Sequence, residues 1–404
     1  MYFNDGPTCV ESTHSGEGID TPINETNPLP DSIAKELPDH LLVDILGEFL
    51  HGEVKTFCFA SQACKSWSSA LSNEPFWNRC LVSRFGSDER VYHPGHMNYE
   101  SSCRSREVYA ATHCLERRFS SGEFSRRSWD RFDASLTDVL ISGEKIYIGD
   151  NKGRIHLHDP ELLTPSLHLN SVSGVSCLAV NSDLLFSGHA DGTVKLWGAN
   201  NIDPVRPIPV HEPNSRVNAI ASPNSGCFAS SSPVDMTVRL VDISKESEFF
   251  MRPFSPESSP NSLAVSSPNV FLVGCRDNCA RVIDIRSRER EALLMQLTDW
   301  CLCVEWSSEF TVRASDKAVH VFDLRFPGSP VSVHHASKRL ITKFKSDAVL
   351  RLVSCGLDGQ VNVSSIDEAV PRTMMENDYI LSLDFSRTTL CFGDINGLFQ
   401  SLQY

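Results

Sequence analysis

The stretch Leu184–Trp197 reads LLFSGHADGTVKLW, with a short apolar run on each side of a turn sequence. The turn contains Asp191 and Gly192. Such a pair is typical of a tight hairpin, because Asp bonds nearby backbone and Gly accepts left-handed backbone angles. In the run that follows, Val194 and Leu196 alternate with other residues and would share one face of a strand. The stretch therefore predicts an antiparallel strand pair with an apolar face for packing against a neighbouring sheet.

The same pattern recurs along the chain. A second clear copy, Val353–Val363, reads VSCGLDGQVNV, and weaker copies centre on Asp235, Asp277 and Asp316. The residue after each turn aspartate, or its equivalent, lies at positions 153, 192, 236, 278, 317, 359 and 397. Seven units of about forty residues resemble the WD-repeat family, which implies an all-β seven-bladed WD40-type β-propeller.

The last unit suggests how such a ring closes. It has candidate strands at Ile380–Phe385, Thr389–Gly393 and Leu398–Leu402, and no fourth strand follows them. We expect the segment near Glu123–Phe132 to supply the fourth strand, because closure removes an exposed sheet edge.

A different pattern precedes the repeats, between Leu37 and Trp77. Leu41, Leu42, Ile45 and Leu46 begin a series of apolar residues at helical spacing, which predicts an amphipathic helix. Two more short helices with apolar faces are expected before Pro75. Three helices of this size carry more apolar surface than they can bury among themselves, so a partner is expected to cover the remainder.

This early stretch resembles an F-box, in the order and spacing of Leu-Pro, the leucine pairs, Cys-Lys-Ser-Trp and Phe-Trp. The resemblance implies docking on the Skp-type adaptor of a cullin-based ubiquitin ligase. The adaptor-binding residues that it implies are Leu37, Pro38, Leu41, Leu42, Ile45, Leu46, Leu50 and Trp67. The alternative is an ordinary three-helix subdomain that packs on its own chain.

Together the two resemblances indicate the F-box/WD-repeat family, the substrate receptors of SCF-type ubiquitin ligases. A predicted helix, Arg106–Phe119, resembles the linker helix that holds the two domains of that family apart; the alternative is a plain surface helix. The expected architecture is multidomain, with a small all-α F-box and linker helices followed by the propeller. Its parts are a disordered acidic tail (1–34), the F-box (35–82), a helical linker (83–122) and the propeller (123–404).

Composition restricts where the protein acts. No run of eighteen apolar residues and no basic-then-apolar leader occur, so we expect no membrane partner and a cytoplasmic or nuclear location. The formal net charge is −14 without a basic stripe, which argues against nucleic acid as a partner. The 14 cysteines include no C-x-x-C pair and are interpreted as reduced, buried residues.

Motifs of catalysis are missing from the sequence. There is no Gly-x-Ser-x-Gly elbow, Walker loop, dinucleotide fingerprint or His-Glu-x-x-His zinc motif. His156 and His158 alternate on a predicted strand and could face one metal, but this spacing is more often structural. We therefore expect no catalytic residue, metal or cofactor.

A receptor instead needs a recognition surface. In the resembling family one propeller face binds a segment of the target, and arginine suits anionic groups on that segment. The residues predicted to bind the target are Arg276, Arg216, Arg339 and Leu357. Val234, Leu357 and Ile395 favour an apolar or mixed epitope, and a full arginine cluster for phosphate is absent.

The resulting hypothesis is a substrate-recognition subunit of a Skp–cullin–F-box E3 ubiquitin ligase, which docks the adaptor and presents an unknown target protein. The alternative is a WD-repeat scaffold in a non-ubiquitin protein assembly. A propeller hydrolase is a third class, and it would require convergent carboxylates or a Ser-His pair that the sequence does not offer.

Overall fold

Two compact units make up the chain, Met1–Phe76 and Trp77–Tyr404. The structure, a computed structural model, describes residues 76–80, 105–106, 109, 117–119 and 121–404, with gaps at 125, 144, 159–164, 182–183, 199–203, 225, 288–292, 309, 336, 347–350, 366–371, 377 and 387. The eight residues predicted to bind an adaptor lie outside the described residues, so their role stays a prediction. The boundaries of the predicted parts also stay predictions.

Helical structure precedes the propeller. Residues 76–80, 105–106, 109, 117–119 and 121 are helical. The rings of Trp77 and Tyr109 lie 5.3 Å apart, and the guanidinium of Arg106 lies 5.9 Å from the Trp77 ring centre. Ser105 donates a hydrogen bond to the side-chain oxygen of Asn78 (2.9 Å). These contacts join residues 77–78 to Ser105, Arg106 and Tyr109 within the second unit.

The described residues from 126 onward form seven four-stranded antiparallel sheets, which are the blades of a propeller. Blades 1 to 3 contain β2 (Leu136–Ser142), β3 (Lys145–Asp150), β4 (Arg154–His158) and β5 (Pro165–Asn170); β6 (Val175–Asn181), β7 (Leu184–His189), β8 (Thr193–Gly198) and β9 (Pro204–Pro209); and β10 (Ala219–Asn224), β11 (Cys227–Ser232), β12 (Thr237–Asp242) and β13 (Ser247–Pro253). A short 3-10 turn, Pro256–Ser258, precedes blade 4.

The remaining blades repeat the arrangement, with the first strand of each innermost. Blades 4 to 6 contain β14 (Pro260–Ser267), β15 (Val270–Cys275), β16 (Cys279–Asp284) and β17 (Leu293–Gln296); β18 (Cys303–Trp306), β19 (Thr311–Ser315), β20 (Val319–Asp323) and β21 (Ser332–His334); and β22 (Ile341–Ser346), β23 (Arg351–Gly356), β24 (Gln360–Ser365) and β25 (Arg372–Glu376). Blade 7 contains β26 (Ile380–Phe385), β27 (Thr389–Asp394), β28 (Leu398–Gln403) and β1 (Arg126–Arg131).

Closure of the ring occurs in blade 7. Strand β1 pairs antiparallel with β28, from Arg126 opposite Gln403 to Arg131 opposite Leu398. Each innermost strand lies beside the innermost strand of the next blade, and β26 lies beside β2. The predicted fourth strand from the segment before the first repeat is therefore confirmed, as is the seven-bladed ring.

The turns explain why the repeat can be recognised in the sequence. Backbone φ is positive at the turn residue in six blades, namely at Gly153, Gly192, Met236, Asn278, Gly359 and Gly397. These are the positions predicted from the spacing. In blade 2, Asp191 accepts hydrogen bonds from the backbone N–H (3.0 Å) and hydroxyl (2.7 Å) of Thr193. In blade 5 the turn is held instead by Asp316, which accepts from the N–H of Ala318 (2.9 Å).

Apolar clusters fill the spaces between blades. Val194 and Leu196 lie in one cluster with Phe186 and Phe228, as their alternation predicts. The rings of Phe186 and Phe228, from blades 2 and 3, lie 5.6 Å apart. Similar clusters join the other blades, so the sheets are held mainly by apolar packing face to face.

Hydroxyl groups near the starts of three inner strands add hydrogen bonds between blades. Thr137 donates to the carbonyl of Val175 (2.9 Å), Ser176 to that of Val217 (2.6 Å) and Thr342 to that of Ile380 (2.7 Å). In each case the acceptor lies at or just before the inner strand of the following blade. Each donor sits at a bulge in its strand, which turns the side chain toward the neighbouring blade.

The end of the predicted linker helix packs on the propeller. Phe119 is 2% exposed and lies 5.1 Å from the ring of Tyr404 and 5.7 Å from that of Phe385. The guanidinium of Arg351 lies 4.7 Å from the Phe119 ring centre. Phe119 therefore belongs to the apolar cluster of blades 6 and 7.

None of the helices in the described part of the chain is long and apolar enough to cross a membrane.

Candidate protein-interaction site

One end of the propeller, which we call the upper face, carries the loops that join successive blades and the turn between the second and third strand of each blade. Both kinds of segment lie at this end because the strands alternate in direction. Five large apolar side chains among the described residues of this face are at least 39% exposed, those of Val172, Val234, Trp300, Tyr379 and Ile395. Tyr379 and Ile395 are neighbours, because the N–H of Ile395 donates to the carbonyl of Tyr379 (3.0 Å), and contiguous exposed apolar side chains are typical of protein-binding surfaces.

Arg276 lies in the turn of blade 4 on this face. Its guanidinium is 5.3 Å from the ring centre of Trp300, in the loop between blades 4 and 5. Its Nε donates a long hydrogen bond (3.4 Å) to the side-chain oxygen of Asn261, which is buried. The arginine is exposed and is thus fixed against the ring while its other donors remain accessible.

Arg339 forms a similar pair in the loop between blades 5 and 6. Its guanidinium lies 5.6 Å from the ring centre of Tyr379, and its Nη1 donates to the Tyr379 hydroxyl (3.1 Å). The backbone N–H of Leu357 donates to the carbonyl of Leu340 (3.0 Å), which places Leu357 beside this loop. Arg339 is exposed and Leu357 is half-buried.

All four residues predicted to bind the target therefore lie on the upper face. Arg216 is exposed in the loop between blades 2 and 3, near the Asn218 amide that donates to the Asn261 carbonyl (3.4 Å). The structure brings Leu357 next to Arg339, and it gives Arg276 an aromatic partner. Sequence reasoning missed Trp300 and Tyr379, because their loops vary in length and have no repeat signal. The role of the four residues in binding stays a prediction.

Buried polar groups brace this face from below. His211 lies between the carboxylate of Asp235 (2.8 Å) and the hydroxyl of Ser230 (3.0 Å). Burial is the largest single effect and raises the pKa of Asp235, but the hydrogen bond and charge of His211, together with hydrogen bonds from Thr237 and the N–H of Glu212, lower the pKa overall. These side chains hold the loop between blades 2 and 3 against the turn of blade 3. Their polar groups form hydrogen bonds with one another.

The tryptophan of the best-preserved repeat has the same kind of role. Trp197 donates from its ring N–H to the hydroxyl of Ser187 (2.8 Å), which lies 2.9 Å from the Nε2 of His189. Burial lowers the pKa of His189, so this imidazole is neutral near pH 7.

Charged side chains link the innermost strands. Lys343 forms an ion pair with Asp138, and Lys345 forms one with Asp384 (2.6 Å). Asp138 also accepts from the backbone N–H of Leu178 (2.8 Å). Burial alone would lower the pKa of Lys343, but the charges of Asp138 and Asp384 raise it overall. These carboxylates accept hydrogen bonds from backbone N–H groups and form ion pairs with lysine ammonium groups within the ring of blades.

Other acidic side chains of the innermost strands also accept hydrogen bonds from backbone N–H groups. Asp384 accepts from the N–H of Ile141 (2.7 Å), and Glu305 accepts from the N–H of Ser346 (3.1 Å). Burial raises the pKa of Glu305 and of the thiol of Cys303, the latter to about 11. The arrangement suits structural support between blades and gives no accessible nucleophile with an adjacent base.

The two alternating histidines of blade 1 face blade 7. His156 lies 3.1 Å from a carboxylate oxygen of Asp150, and its ring is 4.5 Å from that of Phe132. The ring of His158 is 5.3 Å from that of Phe399. Among the described residues no group of three His, Cys, Asp or Glu side chains is suited to hold a metal ion.

Comparison with known proteins agrees with this geometry. Residues 162–198 match the family model described as WD domain, G-beta repeat. This match and the seven-bladed ring support a WD-repeat protein. No curated protein matches the sequence.

Solved structures give the same fold, since 1792 chains match. One is the crystal structure of the computationally designed Ika8 protein, with a TM-score of 0.53 and 16% identity over 68% of this chain and 98% of that chain. At this identity the likeness shows the fold alone. WD40 propellers generally serve as non-catalytic scaffolds for protein interaction, and the upper face is consistent with that role.

Proposed function

We propose that the protein is the substrate-recognition subunit of a Skp–cullin–F-box E3 ubiquitin ligase. In this role the F-box docks a Skp-type adaptor and, through it, a cullin, and the propeller binds the target protein. In this role the chain itself supplies no nucleophile. Ubiquitin transfer is promoted because the target is held close to the ubiquitin-loaded enzyme.

The observation that carries the target-binding half is the upper face. It combines exposed aromatic and aliphatic side chains with exposed arginines at Arg276 and Arg339. Aromatic residues and arginine are the residue types enriched in the energetically important parts of protein interfaces. Exposed apolar side chains also occur at the opposite end, at Phe310, Phe326 and Val331. However, the arginine beside them, Arg325, is already paired with Asp323.

The adaptor-binding half is supported by the F-box resemblance of the sequence between Leu37 and Trp77. An amphipathic helix that lays its apolar face into a groove of a partner is a common mode of recognition. Leu37 and Pro38 begin this face and are the first residues to test.

The test is co-purification of the full chain with a Skp-type adaptor. We expect the double substitution Leu37→Ala and Pro38→Ala to reduce adaptor recovery strongly, because truncation of central apolar anchors typically costs about 2 kcal/mol or more. Arg286→Gln serves as the control, since Arg286 is an exposed residue of the propeller paired with Asp284. Undiminished adaptor recovery with the double variant would contradict the proposed docking.

A second candidate is a WD-repeat scaffold in a non-ubiquitin assembly. The propeller supports it equally well, because its upper face is a binding surface in either case. Depletion of the protein separates the two functions. A ligase receptor predicts slower turnover of its bound targets, whereas a scaffold predicts loss of an assembly at unchanged turnover.

A further inference from the structure

We infer that the upper face binds a segment of the target that carries two carboxylate side chains, one at Arg276 on Trp300 and one at Arg339 on Tyr379. The inference uses the target-binding face of the proposed function and names the class of segment that it takes. It does not depend on binding to the adaptor, so this inference and the proposed adaptor docking can be contradicted separately.

The first step of the argument is the state of the two guanidinium groups. Each lies over an aromatic ring at less than 6 Å from the ring centre, which covers one face of the group and restricts its motion. Within the part of the chain that the structure describes, neither group forms an ion pair with an acidic side chain. Their polar contacts are with neutral oxygens, those of Asn261 and Tyr379.

The second step is a comparison inside the same molecule. Arg325, on the opposite face of blade 5, also lies over an aromatic ring, at 5.5 Å from the centre of Phe310. There the edge of the guanidinium donates hydrogen bonds to the carboxylate of Asp323, from Nε (2.9 Å) and from Nη2 (2.6 Å). Arg325 thus shows the complete arrangement, ring, guanidinium and carboxylate. Among the residues that the structure describes, no carboxylate takes this position at Arg276 or Arg339.

The third step concerns the sign of the charges around the two pairs. The protein as a whole carries a formal net charge of −14, so accessible cations without acidic partners stand out. The neighbouring cation Lys317 is already paired with Asp299 (2.8 Å). Among the described residues of its own turn and of the loop between blades 4 and 5, Arg276 is therefore the one cation without an acidic partner, and one guanidinium matches the single charge of a carboxylate.

A phosphate group is the less suitable occupant. It carries about −1.5 to −2 charges near pH 7 and is usually held by a cluster of arginines. Arg339 has Lys338 as its neighbour in sequence, but Arg276 has no second free cation in the turn or in the adjoining loop. The aromatic and aliphatic side chains beside the two guanidinium groups are those of Trp300, Tyr379 and the half-buried Leu357, so we expect apolar residues beside the two acidic ones.

The test measures fluorescence anisotropy of labelled peptide pools with the full-length protein. The first pool has two positions fixed as Asp or Glu, variable spacing between them, and apolar residues at the other positions. The second pool replaces the acids with Asn or Gln, and the third replaces them with phosphoserine. We expect the acidic pool to bind more tightly than the amide pool, and its binding to weaken as salt rises.

Substitutions then assign the binding to the two arginines. We expect Arg276→Gln and Arg339→Gln each to weaken binding of the acidic pool about tenfold, and the double variant to lose more, since charge-assisted hydrogen bonds are lost at two separate positions. The matched control is Arg325→Gln, which removes a ring-stacked arginine whose carboxylate is already in place. It should leave the affinity unchanged.

Three results would overturn the inference. They are equal binding of the acidic and amide pools, an equal loss in the Arg325→Gln control, and a clear preference for the phosphoserine pool. The last result would assign the face to phosphorylated segments. Adaptor recovery is measured on the same Arg276→Gln and Arg339→Gln double variant and should be unchanged. If the acidic pool binds while Leu37 and Pro38 prove irrelevant to the adaptor, the ubiquitin role fails and this inference stands.

Discussion

Lys343, on the inner strand of blade 6, forms an ion pair with Asp138, on the inner strand of blade 1. Blade 7 lies between these two blades, so the pair spans it at the centre of the ring. Strand β1 closes the ring at its outer rim, and this ion pair connects the same region on the inside.

Replacing Lys343 with methionine should lower the stability of the propeller. The side chain of Lys343 is 28% exposed, so we discount the cost of breaking a buried pair to about 1–2 kcal/mol. Urea unfolding of Lys343→Met, Asp138→Asn and the double variant measures the coupling between the two residues. Strictly additive midpoint shifts would show that the pair contributes nothing beyond its separate parts.

Acid should weaken blade 6 through His335. Its ring is buried between the hydroxyls of Ser354 and Ser364, and burial, with a smaller effect of His334, lowers the pKa of His335 to about 3. The folded state therefore binds fewer protons than the unfolded state, whose histidine titrates near about 6.5. Stability from this residue is complete above that pH and declines as the pH falls toward 3, by at most about 1.4 kcal/mol per pH unit.

The variant His335→Asn isolates this effect, because asparagine tolerates the positive φ of 55° at this position. We expect the variant to be less stable at neutral pH, and the difference from the parent protein to narrow on acidification. Parallel curves of unfolding free energy against pH would contradict the assignment.

The docking of Phe119 should protect the neighbouring chain from proteolysis. Phe119→Ala removes a buried ring that packs on Phe385 and Tyr404, and large-to-alanine changes of this kind cost about 3 kcal/mol. We expect faster tryptic cleavage after Arg117 and Arg118. Phe124→Ala is the control, since that ring is already exposed. Unchanged cleavage in the first variant would mean that the contact does not hold the helix end.

The hydroxyl bonds between blades should each contribute independently. Thr342→Val and Ser176→Ala each remove a donor to the following blade, at an expected cost of about 1 kcal/mol. Because the two sites lie in blades 6 and 2, their effects on unfolding should add. The exposed Ser266→Ala, at a bulge of β14, is expected to be neutral. An equal loss there would show that the cost does not come from the hydrogen bonds between blades.

The ring was predictable from sequence because its turns recur. A turn that needs positive φ or an Asp bonded to backbone constrains the residue type locally, as at Gly192 and Asp191, so the repeat leaves a mark every forty residues or so. The closing strand followed from the missing fourth strand of the last unit. The propeller and its number of blades were therefore predictable from the sequence alone, whereas the all-α F-box stays a prediction.

The details of the upper face and the inner strands were not predictable in this way. Sequence reasoning identified Arg276 and Arg339 from their positions near turns, but not the aromatic rings beneath them. Trp300 and Tyr379 lie in loops whose lengths differ between blades, and only the folded ring brings them under the guanidinium groups. Likewise, no local pattern indicates that Lys343 meets Asp138, because the partners are far apart in the chain.

The pairing of β1 with β28 has a consequence for how the protein is made. Arg126 leaves the ribosome long before Gln403, its partner across the strand pair. At ~5–20 residues per second the interval is roughly 14–55 seconds. Toward the end of that time the nascent chain has six complete blades, an incomplete seventh and an unpaired strand β1 at its start. We expect such an intermediate to be a substrate for chaperones that shield unpaired strands, and biogenesis of the ring to be slower than folding of any single blade.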